Sequence, residues 1–94
     1  MYIHVHRCRL ALPNAVHGAF FVDPTGTLEV ELAGKTEPLH ANLAELSFWP
    51  EETGDCRLCC GQHWQLRLKP DDAQSLQGLI SDAREELASL HRDL

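Results

Sequence analysis

Seven side chains in this 94-residue sequence carry soft or borderline ligand atoms at usable spacings: Cys56, Cys59, Cys60 and His63, and, near the other end, His4, His6 and Cys8. The stretch Cys56-Arg57-Leu58-Cys59-Cys60-Gly61-Gln62-His63 holds a Cys-x2-Cys and an overlapping Cys-x2-His. Zinc takes four such ligands in a tetrahedron, and two ligands separated by two residues in a tight turn supply half of one. The remainder would come from His4, His6 and Cys8, which share one side of an extended segment at two-residue spacing. Strand geometry argues against convergence. If Cys56 to Cys60 is a regular strand, Cys56 and Cys60 point away from Cys59 and join Leu58 in a core, where free cysteine behaves as a small hydrophobe. A Cys-x2-Cys without its second half ranks structural thiols ahead of zinc.

Catalysis has thinner support. A redox pair would need to open a helix that lowers a thiol pKa, and Cys56 to Cys59 lies in strand-like sequence. His63 is placed to serve Cys59 or Cys60 as a base, but no sequence feature marks an oxyanion hole, a phosphate-binding glycine loop or a serine elbow. The expectation is a protein that is not an enzyme. His17, His40 and His91 read as solvated residues.

A second set of residues suggests contact with another macromolecule. Trp49 falls opposite Ala44, Leu46 and Phe48 and is expected to be exposed, beside Glu51 and Glu52 in the polar loop Pro50-Glu51-Glu52-Thr53-Gly54-Asp55. Leu87, Leu90 and Leu94 continue an apolar seam beyond the length a small sheet needs, which suggests pairing with a second copy. Eight basic against fourteen acidic side chains give a net charge of −6, which opposes phosphate backbones and argues against nucleic acid. The charge is uneven: residues 1–22 hold Arg7 and Arg9 and no carboxylate, whereas residues 23–55 hold eight carboxylates and only Lys35. The first residues show no cationic leader, and no apolar run reaches membrane-spanning length, so the expected setting is cytoplasmic, with thiols rather than disulfides.

The elements that must position these residues are legible from periodicity. Tyr2 to Leu12 reads as a strand with neither side cleanly apolar, broken at Pro13-Asn14. Ala19 to Val22, the turn Asp23-Pro24-Thr25-Gly26 and Thr27 to Leu32 read as a hairpin with Leu28, Val30 and Leu32 inward. Leu39 to Trp49 reads as a further strand with Ala44, Leu46 and Phe48 on one side, or with a short helical turn between Leu39 and Leu46. Cys56 to Cys60 and His63 to Lys69 form a second hairpin, with Trp64, Leu66 and Leu68 facing the core. Asp71 is placed to cap a terminal helix, with Gln74 as the capping-box partner, and Ala73, Leu76, Ile80, Ala83, Leu87, Leu90 and Leu94 run at heptad spacing.

These elements predict one α+β domain over residues 1–94: a small antiparallel sheet or roll of about five or six strands with one long C-terminal amphipathic helix. A domain of this size buries only about 60–65 % of its unfolded surface, so a metal or a second subunit would help it. The order of elements over residues 19–90 resembles a reduced pleckstrin-homology-type roll, in layout and without a specific motif. That resemblance implies a binding scaffold rather than an enzyme, although layout alone does not determine function. Three readings follow, in order. The first is a small non-enzymatic protein-protein interaction or regulatory domain, homodimeric through its helix. The second is a zinc-stabilised binding domain, and the third an acidic inhibitor occupying a nucleic-acid site on a larger enzyme.

Overall fold

Strict alternation on both sides of Asp23-Pro24-Thr25-Gly26 sets the first sheet. The computed structural model describes residues 3–13 and 15–92, the side chains of 90–92 excepted. Strand β1 (His4–Arg9) pairs antiparallel with β2 (His17–Asp23), β2 with β3 (Thr27–Leu32), and β3 with β4 (Leu39–Asn42), in the order β1-β2-β3-β4. Phe20 lies opposite Val30 and Val22 opposite Leu28, and all four are buried. In the turn, the Asp23 carboxylate accepts from the Thr25 amide at 2.9 Å and the Thr25 hydroxyl at 2.8 Å. These two bonds, the amide's first, hold the Asp23 carboxyl below its ordinary pKa. Gly26 closes the turn at φ 112°, a conformation that side chains with a Cβ rarely adopt.

The register of β2 decides the side of β1 that composition left open. His4, His6 and Cys8 lie opposite Val22, Phe20 and Gly18, and paired residues in an antiparallel ladder share a face. The histidine and cysteine side therefore turns inward, half-buried, while Ile3 and Val5 point outward at 57 % and 42 % exposure.

The second sheet has the order β5-β6-β7, from β5 (Leu46–Pro50), β6 (Cys56–Cys60) and β7 (Trp64–Leu68). Seven strands in two sheets replace the expected five or six in one. The extra strand arises because a 3-10 turn, Leu43–Glu45, divides the run Leu39 to Trp49 between the sheets. That turn shifts the phase of alternation, so Leu43 is buried and Ala44, expected inside, is exposed. Within the turn the Leu43 amide donates to Gly26 O at 2.9 Å, and the Arg84 guanidinium donates to Leu43 O. On β7, Leu68 is fully buried while Trp64 and Leu66 are half-buried against the same core.

Helix α1 (Pro70–Arg92) begins two residues earlier than a cap at Asp71 would set it. Proline suits the first helical position because its ring presets φ and it has no amide to leave unsatisfied. The first helical bond runs from the Ala73 amide to Lys69 O at 2.9 Å. Asp71 therefore lies inside the first turn rather than capping it. Ala73, Leu76, Ile80 and Ala83 are buried as the seam requires. Leu79, outside the seam, also packs against the core, because a helix lying on a sheet buries a wider stripe than a two-position seam. One apolar cluster unites both sheets and the helix, from Leu10, Phe20 and Val30 through Leu58 and Leu68 to Leu76 and Ile80. Among the described residues no helix is long and apolar enough to cross a membrane.

Candidate functional site

Inward alternation on β1 and the early start of α1 bring three ligand-bearing side chains together. His6, Cys8 and Asp72 each offer one ligand atom, and these atoms lie within 4.8 Å of one another. His6 Nε2 is 3.0 Å from Asp72 Oδ1, and the two side chains are 21 % and 24 % exposed. Burial, then the Asp72 carboxylate, push the Cys8 thiol up to about 11, with Lys69 pulling the other way. Both causes favour the thiol form of Cys8 over the thiolate. His4 shares the same side of β1 and is half-buried.

The Cys56 to His63 motif takes the separated arrangement that regular strand geometry imposes. Cys56 and Cys60 are buried on the side of Leu58, and Cys59 lies on the other face, half-buried, in register with Ser47 and Gln65. His63 is exposed in the turn after β6. Among the described residues, these four do not form a group of three converging ligands. Burial, as the first cause, raises the thiol pKa of both Cys56 and Cys60. The four cysteines are free thiols. Thiolate chemistry should therefore be uneven: limited iodoacetamide treatment at neutral pH, followed by peptide mass spectrometry, is expected to mark Cys59 well before Cys8, Cys56 and Cys60. Equal labelling of all four would contradict this burial pattern.

The residues expected to meet a partner divide in the same way. Trp49 is 55 % exposed, and its indole N–H donates to Ser47 Oγ at 2.9 Å, which orders the ring without burying it. Its cross-strand neighbour is Arg57, whose guanidinium donates to Gln65 Oε1 at 3.3 Å. The surroundings of Trp49 on the sheet are thus basic rather than acidic.

Glu51, expected to face a partner, is half-buried and ion-paired with Arg67. Arg67 donates to both of its carboxylate oxygens at 3.0 Å, and a third guanidinium bond reaches Leu12 O at 3.1 Å. Together with the bond from the Ala11 amide to Arg67 O at 3.0 Å, this fastens the loop after β1 to β7. Glu52 remains exposed. Leu87 is half-buried, and a Cβ at Gly26 would lie 3.4 Å from its Cδ2, so it packs over the β2–β3 turn. The Leu90 side chain and the whole of Leu94 lie outside the described residues.

Sequence reasoning missed Asp72 as a candidate ligand. It sits 66 residues from His6, and as the third residue of a helix its ordinary use is to complement the helix dipole. Comparison of the chain with protein-family models, curated proteins and solved structures finds no match.

Proposed function

We propose that the chain is a small non-enzymatic protein-binding module of pleckstrin-homology-like layout that engages its partner on the outer face of the second sheet, around Trp49. Four strands, then three, then a covering C-terminal helix support the layout. One observation carries the binding reading: an ordered tryptophan more than half exposed beside an arginine whose hydrogen-bond partner there is a neutral glutamine. Tryptophan and arginine are the residue types in which interfaces concentrate their energy. A partner that fits this patch places an apolar side chain against the indole and a carboxylate against Arg57. The acidic loop contributes less than its composition suggests, because Glu51 is neutralised by Arg67.

Photo-crosslinking in cells tests the reading directly. A benzophenone amino acid in place of Trp49 is expected to capture one specific protein that the same group at Gln74, exposed on the helix, does not. For that protein, Trp49→Ala should weaken binding by about 2 kcal/mol, or ~30-fold, with Trp49→Phe retaining most of the affinity. Adducts that are the same from both positions would remove the surface proposed here.

A further inference from the structure

Cys8 packs against the core, but the ligand atoms of the three side chains that meet between β1 and α1 have a chemistry that the binding face does not use. We infer that His6, Cys8 and Asp72 form a three-ligand site for a zinc-class divalent ion, with water at the fourth position.

The donor set selects the ion. A thiolate sulfur and an imidazole nitrogen suit zinc and its neighbours and disfavour magnesium and calcium, which prefer oxygen alone. Geometry comes close to what zinc needs. Bonds of about 2.0–2.3 Å in a tetrahedron place ligand atoms roughly 3.3–3.8 Å apart. The three atoms already lie within 4.8 Å of one another, and His6 Nε2 and Asp72 Oδ1 must separate by only a few tenths of an ångström from their present 3.0 Å. Atoms as far apart as that 4.8 Å limit must close by up to about 1 Å, a distance that side-chain rotation covers.

Charge also balances. A dication bound by one thiolate, one carboxylate and one neutral imidazole is formally neutral, which suits a half-buried position. On binding, the Cys8 thiol gives its proton to solvent, and His6 Nε2, which donates to Asp72 before the ion arrives, gives up that proton so that the neutral ring carries its one proton on Nδ1. Lys69 is the nearby charge that opposes the cation, and being exposed it is screened.

The supports are rigid. His6 and Cys8 are alternate residues of a strand locked in register with Phe20 and Gly18, and Asp72 lies in a helical turn started by Pro70. The ion would join the first strand of the chain to its last helix. That is the kind of cross-link by which a small domain gains stability it cannot draw from core size alone.

Cobalt(II) reports the ligands by its absorption. The full chain, purified without a metal-affinity tag and stripped with chelator, is expected to bind one cobalt with a thiolate-to-metal charge-transfer band, and zinc should displace it. Cys8→Ser should remove the band and weaken binding by about 100-fold or more. Asp72→Asn keeps an acceptor for His6 but loses the anionic ligand, and is expected to weaken binding by roughly 10–100-fold. Cys59→Ser should leave the band and affinity unchanged, and zinc should raise the melting temperature of the wild type but not of Cys8→Ser. No charge-transfer band at one equivalent overturns the inference. So does a band that survives Cys8→Ser or disappears in Cys59→Ser. Should Cys8→Ser fail to fold, Asp72→Asn decides alone, and undiminished affinity in it has the same overturning force.

Discussion

Phe20→Ala is expected to remove about 3–5 kcal/mol of stability, whereas Phe21→Ala, one residue on, should remove less than about 1.5 kcal/mol. Phe20 has no exposed surface and belongs to the cluster that joins both sheets to the helix. Phe21 lies on the outer face of the first sheet, opposite Val5 and Glu29, and is half-buried. Deleting a fully enclosed ring loses its transfer free energy and leaves a cavity as well, while a half-exposed ring loses only part of the first term. A 94-residue chain has a total stability of about 5–14 kcal/mol, so the first change consumes a large share of it. Each kcal/mol is worth about 4–8 °C in melting temperature at this size. Urea unfolding followed by circular dichroism measures both variants. A larger loss for Phe21→Ala than for Phe20→Ala would mean that β2 is set one residue out of register, and with it the inward facing of His6 and Cys8.

Where one face of an element buries and the other meets water, its residues state the fold plainly. Leu28 and Val30 against Glu29 and Glu31, and Ala73, Leu76, Ile80 and Ala83 along the helix, were legible because each pattern is complete within its own segment. The first strand was not legible. Both of its sides mix polar and apolar residues, and the deciding information lies in β2, whose Phe20 and Val22 carry their neighbours inward. An apolar Ile3 and Val5 outside and two histidines inside is a choice made by pairing rather than by hydropathy. The Leu39 to Trp49 run escaped for another reason. A three-residue 3-10 turn matches neither the two-residue nor the 3.6-residue period, so it changes the phase while leaving composition strand-like on both sides.

For the candidate ligands, closeness in sequence and convergence in space part company. Cys56 to His63 looks like half a zinc motif because its ligands are close in sequence, yet a regular strand separates adjacent residues to opposite faces. His6 and Cys8 had the right spacing, but their third partner arrives from the far end of the chain, and no spacing rule reaches that far. Glu51 was read as surface charge because its partner Arg67 sits on what alternation marks as the polar side of β7. There the loop after β1 closes over it and turns a surface position into a bridge between sheets.

The helix is the element on which the rest depends, and Leu76→Asp tests it. Leu76 is fully buried, the seventh residue of α1, in the stretch where the helix closes the core. An aspartate there must either bury an unpaired carboxylate or take a proton to avoid doing so, and it also abandons the leucine volume. The expected loss exceeds about 4 kcal/mol, enough to abolish cooperative unfolding in a domain of this size. Gln77→Asp, one residue on and exposed, should change stability by no more than about 0.5 kcal/mol. Leu87→Asp falls between the two, because the half-buried Leu87 covers only the β2–β3 turn. Thermal melts at neutral pH would show the gradient along the helix. A tolerated Leu76→Asp would mean that α1 does not cover the sheet, and then Asp72 would have no fixed position beside His6 and Cys8.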